Sequence, residues 1–120
     1  SQLGMLSKLT TLSISSSDFT NTIASEIGLL TELYNLYFNY NSFIGSLPSE
    51  IGRLSSLTYG LSFSSNSLTG TIPSQLGKVS LVRAYFQLHS NSLSGSIPSQ
   101  LGRMTEATNS FELYSNQMTG

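Results

Sequence analysis

The sequence predicts an α/β solenoid: a coil of about five equivalent turns, with a short-stranded parallel sheet along one face and short helical or 3-10 segments along the other. Three observations predict it. NSLTGTIPSQLG at Asn66–Gly77 returns as NSLSGSIPSQLG at Asn91–Gly102 and more loosely as NSFIGSLPSEIG at Asn41–Gly52. Ile or Leu followed by Gly recurs at Leu3, Ile27, Ile51, Leu76 and Leu101, at separations of 24, 24, 25 and 25 residues, a fixed period that marks stacked supersecondary units. Between these pairs apolar residues alternate at period two, which in a strand turns every second side chain to the same side.

Each turn opens with its strand. Leu12 and Ile14, Leu36 and Phe38, Leu61 and Phe63, Phe86 and Leu88, and Phe111 and Leu113 are the alternate residues that point into the coil. Asn41, Asn66, Asn91 and Asn116 follow where the chain leaves the strand. An inward amide there can donate to and accept from backbone groups of its own and the next turn, so these asparagines read as a structural ladder and not as ligand contacts. Gly45, Gly70, Gly95 and Gly120 come four residues later, where a positive φ or a close neighbour excludes a β-carbon. Pro48, Pro73 and Pro98 then fix φ and withhold an N–H from any adjoining strand. The remaining P-S-[EQ]-[IL]-G-[RK]-[LV] segment is expected as a short helical or 3-10 piece on the outer face. Its charges, Glu26, Glu50, Arg53, Lys78 and Arg103, flank the [IL]-G pair as solvated edge charges.

Two departures bend the pattern. In the first turn Ser17 replaces the ladder Asn, Asn21 the Gly and Ala24 the Pro, and Asn21 can still visit the left-handed region. In the third to fifth turns Thr58, Arg83 and Thr108 occupy the site expected to be apolar, with Leu57, Val82 and Ala107 one residue earlier. One residue has been inserted just before the strand, and a small bulge would keep both apolar sets inward.

Written out from Leu30, the second copy reads L-x-x-L-x-x-L-x-L-x-x-N-x-L-x-G-x-I-P-x-x-L-G, with Phe standing for some Leu. This string resembles the leucine-rich repeat family, in the plant-type subclass marked by G-x-[IL]-P, over the whole chain. The resemblance implies a right-handed superhelix with strands on the concave face, as one array with turns at about 1–29, 30–53, 54–78, 79–103 and 104–120. Family arrays close their ends with caps that usually contain paired cysteines, and this chain has no cysteine. The expectation is therefore an uncapped fragment of a longer array, or a chain with its caps missing. Plant-type arrays form the outer portions of receptor kinases and receptor-like proteins, or secreted polygalacturonase-inhibitor-like proteins. The resemblance thus implies recognition of a peptide, protein or glycan at the cell surface or outside the cell, with no cofactor. Co-receptor or homotypic contact through the open ends is a further partner it allows.

Bulk properties narrow the partners. Only 9 % of residues are charged, and five Lys plus Arg against six Asp plus Glu leave no basic stripe to displace counterions from nucleic acid or to hold a membrane surface. No apolar run approaches the roughly 18 residues of a spanning helix, so direct membrane insertion by this segment is not expected. Without cysteine there is no disulfide or thiolate metal site, and no N-x-Ser/Thr sequon occurs.

The residues that alternate with the inward set face the concave side, and all six tyrosines fall among them. The six phenylalanines, Phe19, Phe38, Phe43, Phe63, Phe86 and Phe111, fall on inward positions. Rings that differ by one hydroxyl are sorted to opposite sides. An exposed tyrosine can simply cover a neighbouring strand, but it also offers stiff amphipathic contact area of the kind used at interfaces. The candidate ligand-binding set is Tyr34, Tyr37, Tyr40, Tyr59, Tyr85 and Tyr114, with Asn35, Asn39, Gln87, His89 and Glu112 as polar partners. Five strands about 4.8 Å apart and roughly 17 Å long give a patch on the order of 300 Å². A stable interface needs about 800 Å² per partner, so this stretch alone is expected to bind weakly.

Catalysis is not expected. Ser64, His89 and Glu112 can be drawn as a triad, but an open sheet supplies no converging N–H pair and no exclusion of water. One His beside one carboxylate is too few ligands for a closed metal site. A different class of function rests on Thr22, Ser46, Thr71 and Ser96, which form one outward hydroxyl column, and on Thr20, Thr69, Ser94 and Thr119, which form another. These columns resemble the ice-binding surfaces of some repeat proteins, or serve as a passive soluble face.

Overall fold

A computed structural model describes residues 6–119; the expected Leu3–Gly4 pair and Gly120 lie outside them. In chain order the strands are β1 (Thr11–Ser13), β2 (Asn35–Tyr37), β3 (Ile44–Gly45), β4 (Gly60–Ser62), β5 (Ser67–Leu68), β6 (Tyr85–Gln87), β7 (Ser94–Ser96), β8 (Ser110–Glu112) and β9 (Gln117–Thr119). Four 3-10 helices lie between them: η1 (Ser25–Leu29), η2 (Ser49–Arg53), η3 (Ser74–Lys78) and η4 (Ser99–Arg103). β1, β2, β4, β6 and β8 form a five-stranded parallel sheet in that order, one strand per rung. Parallel neighbours need a crossover, and here each crossover is one circuit of the coil through a 3-10 helix. The chain is a leucine-rich-repeat type solenoid, as the period predicts.

Register follows the alternation. Leu12, Leu36, Leu61, Phe86 and Phe111 align across the sheet. The strands are shorter than the alternation suggests, so the second inward residue lies just past each strand's end. Backbone bonding nevertheless continues there, Phe38 N donating to Ser62 O at 2.8 Å and Phe63 N to Gln87 O at 2.9 Å.

Leu30, Leu33, Leu36, Leu54, Leu61, Phe63, Leu76, Phe86 and Leu88 are fully buried and form the spine of the core. Phe38 packs on Phe43 and Phe63 at ring-centroid distances of 5.2 and 5.5 Å. Phe19 and Phe111 depart from the expectation that phenylalanines are interior, being 49 % and 41 % exposed. Both stack on an inner ring, Phe19 on Phe43 at 6.1 Å and Phe111 on Phe86 at 5.1 Å. They belong to the outermost described rungs, where only one side of the ring has a neighbouring rung.

The asparagine ladder forms, with its direction corrected: each amide serves its own rung and the preceding one, not the next. Asn66 Nδ2 donates to Phe63 O at 3.0 Å and, one rung back, to Phe38 O at 2.9 Å, while its Oδ1 accepts from Phe43 N at 3.0 Å. Asn91 and Asn116 repeat this with Phe63 O and Leu88 O, each at 3.0 Å. Asn41 bonds back to Ile14 O and to the Ser17 amide.

Gly45, Gly70 and Gly95 hold φ of 77°, 76° and 74°, the left-handed region that their position requires. In the first rung that conformation belongs to Asp18, φ 56°, and not to the expected Asn21. Pro48, Pro73 and Pro98 lead into η2, η3 and η4 at φ of −71°, −64° and −62°, and Ala24 takes the same −71° before η1. The inserted residue is accommodated as expected. Leu33 and Leu57 are both buried, while Asn35 still pairs with Gly60, so Thr58 is the extra residue between them.

Beside each ladder asparagine runs a second, flanking set of parallel pairs, β3 with β5 and β7 with β9. Its register is offset, Ile44 facing Ser67 and Ser94 facing Gln117, with bridges from Thr22 to Ile44 and from Thr71 to Ser94. The offset sets a residue five places after one ladder position beside the residue three places after the next.

Candidate functional site

The central sheet presents the alternate residues of its strands on the concave face, and there the structure places all eleven candidate residues. It does not spread them evenly. It gathers most of them into two clusters, one across rungs two to four and one across rungs four and five.

The first cluster is phenolic. Tyr34 and Tyr59 occupy the same register on adjacent rungs and stack at 5.7 Å, 22° from parallel, while Tyr85 meets Tyr59 edge-on at 5.9 Å. Tyr37 lies across Gly60, where any β-carbon would collide with its ring and hydroxyl. Burial, and then the neighbouring phenols of Tyr59, Tyr85 and Tyr34, raise the pKa of the Tyr37 hydroxyl above that of a free tyrosine. The ring is therefore a neutral donor and acceptor across the physiological range.

The second cluster joins rungs four and five. His89 stacks on Tyr114 at 4.6 Å, 9° from parallel, and its Nε2 lies 3.3 Å from Glu112 Oε2. His89 Nδ1 is 3.0 Å from Ser90 Oγ. Glu112 also accepts from the Ser110 hydroxyl, to which Gln87 Nε2 donates at 3.1 Å. Desolvation first, then the Glu112 carboxylate, hold the Tyr114 pKa above its ordinary value.

Asn35 and Asn39 turn the other way, toward the first rung: Asn39 Oδ1 accepts from Ser15 Oγ at 2.9 Å, and Asn35 Nδ2 donates to Thr11 Oγ1 at 3.5 Å. Asn35 Oδ1 also accepts from the Tyr37 hydroxyl at 3.4 Å, tying the amide to the first cluster. Tyr40 stands apart and is 59 % exposed.

Three features escape the sequence reading. Ser62 and Ser64 are on concave positions yet are 1 % and 2 % exposed, bonded to each other at 3.1 Å. A serine between larger neighbours is overtopped by them, and the run Gly60, Ser62, Ser64 was the available signal. The glycine itself, alone in a column of Thr11, Asn35, Tyr85 and Ser110, signals close approach of another group. The third is a left-handed column: Ser16, Tyr40, Ser65, Ser90 and Ser115, each just before the ladder position, have φ between 52° and 58°. Nothing about Tyr at position 40 announces that conformation, which costs a non-glycine residue about 1 kcal/mol.

Among the described residues no three or more His, Asp or Glu side chains come together in a way that could hold a metal ion, and no helix is long and apolar enough to cross a membrane. Cavities of about 330 and 530 Å³ lie at the two ends of the coil, lined by Phe19 and Ile27 among others at one end and by Leu101 and Phe111 among others at the other.

Comparison with known proteins agrees with this geometry. The family model for the Leucine Rich Repeat matches residues 32–54 and 60–79. Comparison with curated protein sequences finds no match. Among solved structures, the chain is similar to that of PEPR1–AtPEP1, with 37 % identity over 98 % of this chain and 16 % of that one, and a TM-score of 0.90. It is also similar to the ectodomain of the plant membrane receptor kinase GASSHO1/SCHENGEN3 from Arabidopsis thaliana, in complex with CASPARIAN STRIP INTEGRITY FACTOR 2: 34 % identity over 98 % of this chain and 17 % of that one, TM-score 0.84. A plant ice-binding protein gives 31 % identity over 99 % of this chain and 38 % of that one, TM-score 0.80. The chain thus spans less than a fifth of the first two of these chains and about two fifths of the third. Repeat string, rung geometry and these likenesses lead to one assignment: the chain belongs to the leucine-rich repeat family, in its plant type.

Proposed function

We propose that this array is a recognition module, part of a cell-surface receptor or a secreted binder, that takes a peptide, protein or glycan ligand on its concave face. The observation that carries the reading is the sorting of rings: Tyr34, Tyr40, Tyr59 and Tyr114 are each at least 40 % exposed on the inner curve, whereas Phe38, Phe43, Phe63 and Phe86 are buried and the exposed Phe19 and Phe111 of the outermost described rungs stack on inner rings. A phenolic ring can stay exposed on the inner curve with its hydroxyl solvated, and it offers stiff amphipathic contact area to a ligand. The likeness to a plant membrane receptor kinase ectodomain in complex with CASPARIAN STRIP INTEGRITY FACTOR 2 supports the same reading. So does the shape, since an open face without a closed cavity suits an extended ligand more than a small substrate.

The test is capture. The chain and a Tyr34→Ser, Tyr37→Ser, Tyr40→Ser triple variant are applied to immobilised peptide and glycan arrays. A ligand held by the parent should be lost by the triple variant, with the circular dichroism spectrum nearly unchanged because no core residue is touched. A ligand retained by the variant removes the aromatic face from the account.

A second reading has its own support in the likeness to a plant ice-binding protein. Thr22, Ser46, Thr71 and Ser96 are exposed, as are Thr20, Thr69 and Thr119. The offset flanking register places the two columns alongside one another, although the exposed Ile44 interrupts one of them. Thermal hysteresis of the purified chain decides between the readings. The concave-face reading expects none beyond that of an unrelated protein at equal concentration, and a clear freezing gap would favour the hydroxyl face.

A further inference from the structure

We propose that the ligand of the concave face is a neutral oligosaccharide, its ring faces lying on the paired aromatic side chains and its hydroxyls bonding the amides and hydroxyls between them. The inference deepens the recognition reading above and rests on it.

Charge comes first. No Lys, Arg or Asp occupies a concave position, and the single carboxylate, Glu112, is already engaged by His89 at 3.3 Å and by the Ser110 hydroxyl. A phosphate, sulfate or uronate would surrender hydration on this face and find no counter-charge, as would a charged peptide. A neutral sugar surrenders none of that kind.

Hydrogen-bond type comes second. The polar groups here are Tyr, Ser, Asn and Gln, each of which both donates and accepts. That matches a sugar hydroxyl, which does the same. No ligand can add a strand here, because the backbone groups of the inner rungs are spent within the sheet, as in Phe38 N to Ser62 O and Phe63 N to Gln87 O. The face offers side chains only.

Ring arrangement comes third. A pyranose presents a flat apolar C–H face, which needs a flat apolar surface held still. The structure has two such surfaces, the Tyr34–Tyr59 stack extended by Tyr85, and the His89–Tyr114 stack. Because each ring is already held by its neighbour, little side-chain freedom is lost on binding. The two surfaces lie about two rungs and five strand positions apart, roughly 10 Å by 17 Å. A short oligomer reaches both, and a single sugar does not.

The test is calorimetric titration of the full 120-residue chain with cellohexaose, mannohexaose and chitohexaose, using the galacturonic acid hexamer as a charged counterpart of equal length. At least one neutral hexamer should bind saturably with Kd below about 1 mM, and the charged hexamer at least ten-fold more weakly. Tyr59→Ser and Tyr114→Ser, each removing part of one platform, should each weaken binding ten-fold or more, while Tyr59→Phe keeps most of it. No binding by the three neutral hexamers, equal binding by the charged one, or unchanged affinity in both Ser variants overturns the proposal. A peptide captured by the parent and lost by the Tyr34, Tyr37, Tyr40 triple variant, with no neutral sugar bound, overturns the saccharide assignment and leaves recognition standing. Capture of neither kind overturns both.

Discussion

The ladder asparagines are the residues whose side-chain chemistry the coil depends on most directly. Asn66 shows why a shape-conserving change is not enough. The carbonyls of Phe38 and Phe63 are each shared by two ladder amides, so each keeps one partner if Asn66 is truncated. The Phe43 N–H has Asn66 Oδ1 alone. Asn66→Ala should therefore cost about 1–3 kcal/mol, the penalty of one interior donor left without a partner. Asn66→Asp should cost more at neutral pH, since it keeps the acceptor but sets a carboxylate against two carbonyl oxygens with no proton between them. Urea midpoints of the two variants check the order, and an alanine variant less stable than the aspartate would reverse this account. Of all the assignments drawn from sequence, this role was the most legible, because an amide recurring at a fixed place after a buried strand has few other uses. What the sequence hid was the direction of service, which depends on the pitch of the coil and not on residue type.

At the scale of an element, the 3-10 helices show a constraint that the repeat string displays without explaining. Gly28, Gly52 and Gly77 of the [IL]-G pairs sit against the backbone of the next helix: a β-carbon at Gly77 would lie 2.5 Å from Gln100 O and 2.7 Å from Gln100 Cβ, whereas at Gly102 nothing lies within 4 Å. Gly77→Ala should cost about 1–3 kcal/mol through separation of η3 from η4. Gly102→Ala should be neutral or slightly stabilising, as alanine in a helix generally is. Thermal melts of the pair provide the check, and equal losses would mean that the glycine acts through backbone freedom and not through space. The sequence reading placed both helices correctly, and it found the inward sets from Leu36 and Phe38 because period two is a local property. It missed that Gly60 serves Tyr37, that Ser62 and Ser64 sink below their neighbours, and that Tyr40 is left-handed. Each of these is set by a rung some two dozen residues away.

At the scale of the molecule the rungs are near-copies, and the array is held by neighbour-to-neighbour contact. The concave clusters are the exception to that uniformity. They arise where the phenols of rungs two to four gather toward the starts of the strands, while Gln87, His89, Glu112 and Tyr114 of rungs four and five meet toward the strand ends. Alternation alone assigns the candidate residues to one face of the sheet, while their division into two platforms needed coordinates. The backward reach of the ladder also gives the coil an arrow in time. As the chain leaves a ribosome, N-terminal part first, no inner rung can finish satisfying its own interior until the one behind it has been synthesised and docked. Each newly made rung is thus a provisional structure that its successor completes, and a pause in translation would leave unfinished whichever turn was made last, at its C-terminal face.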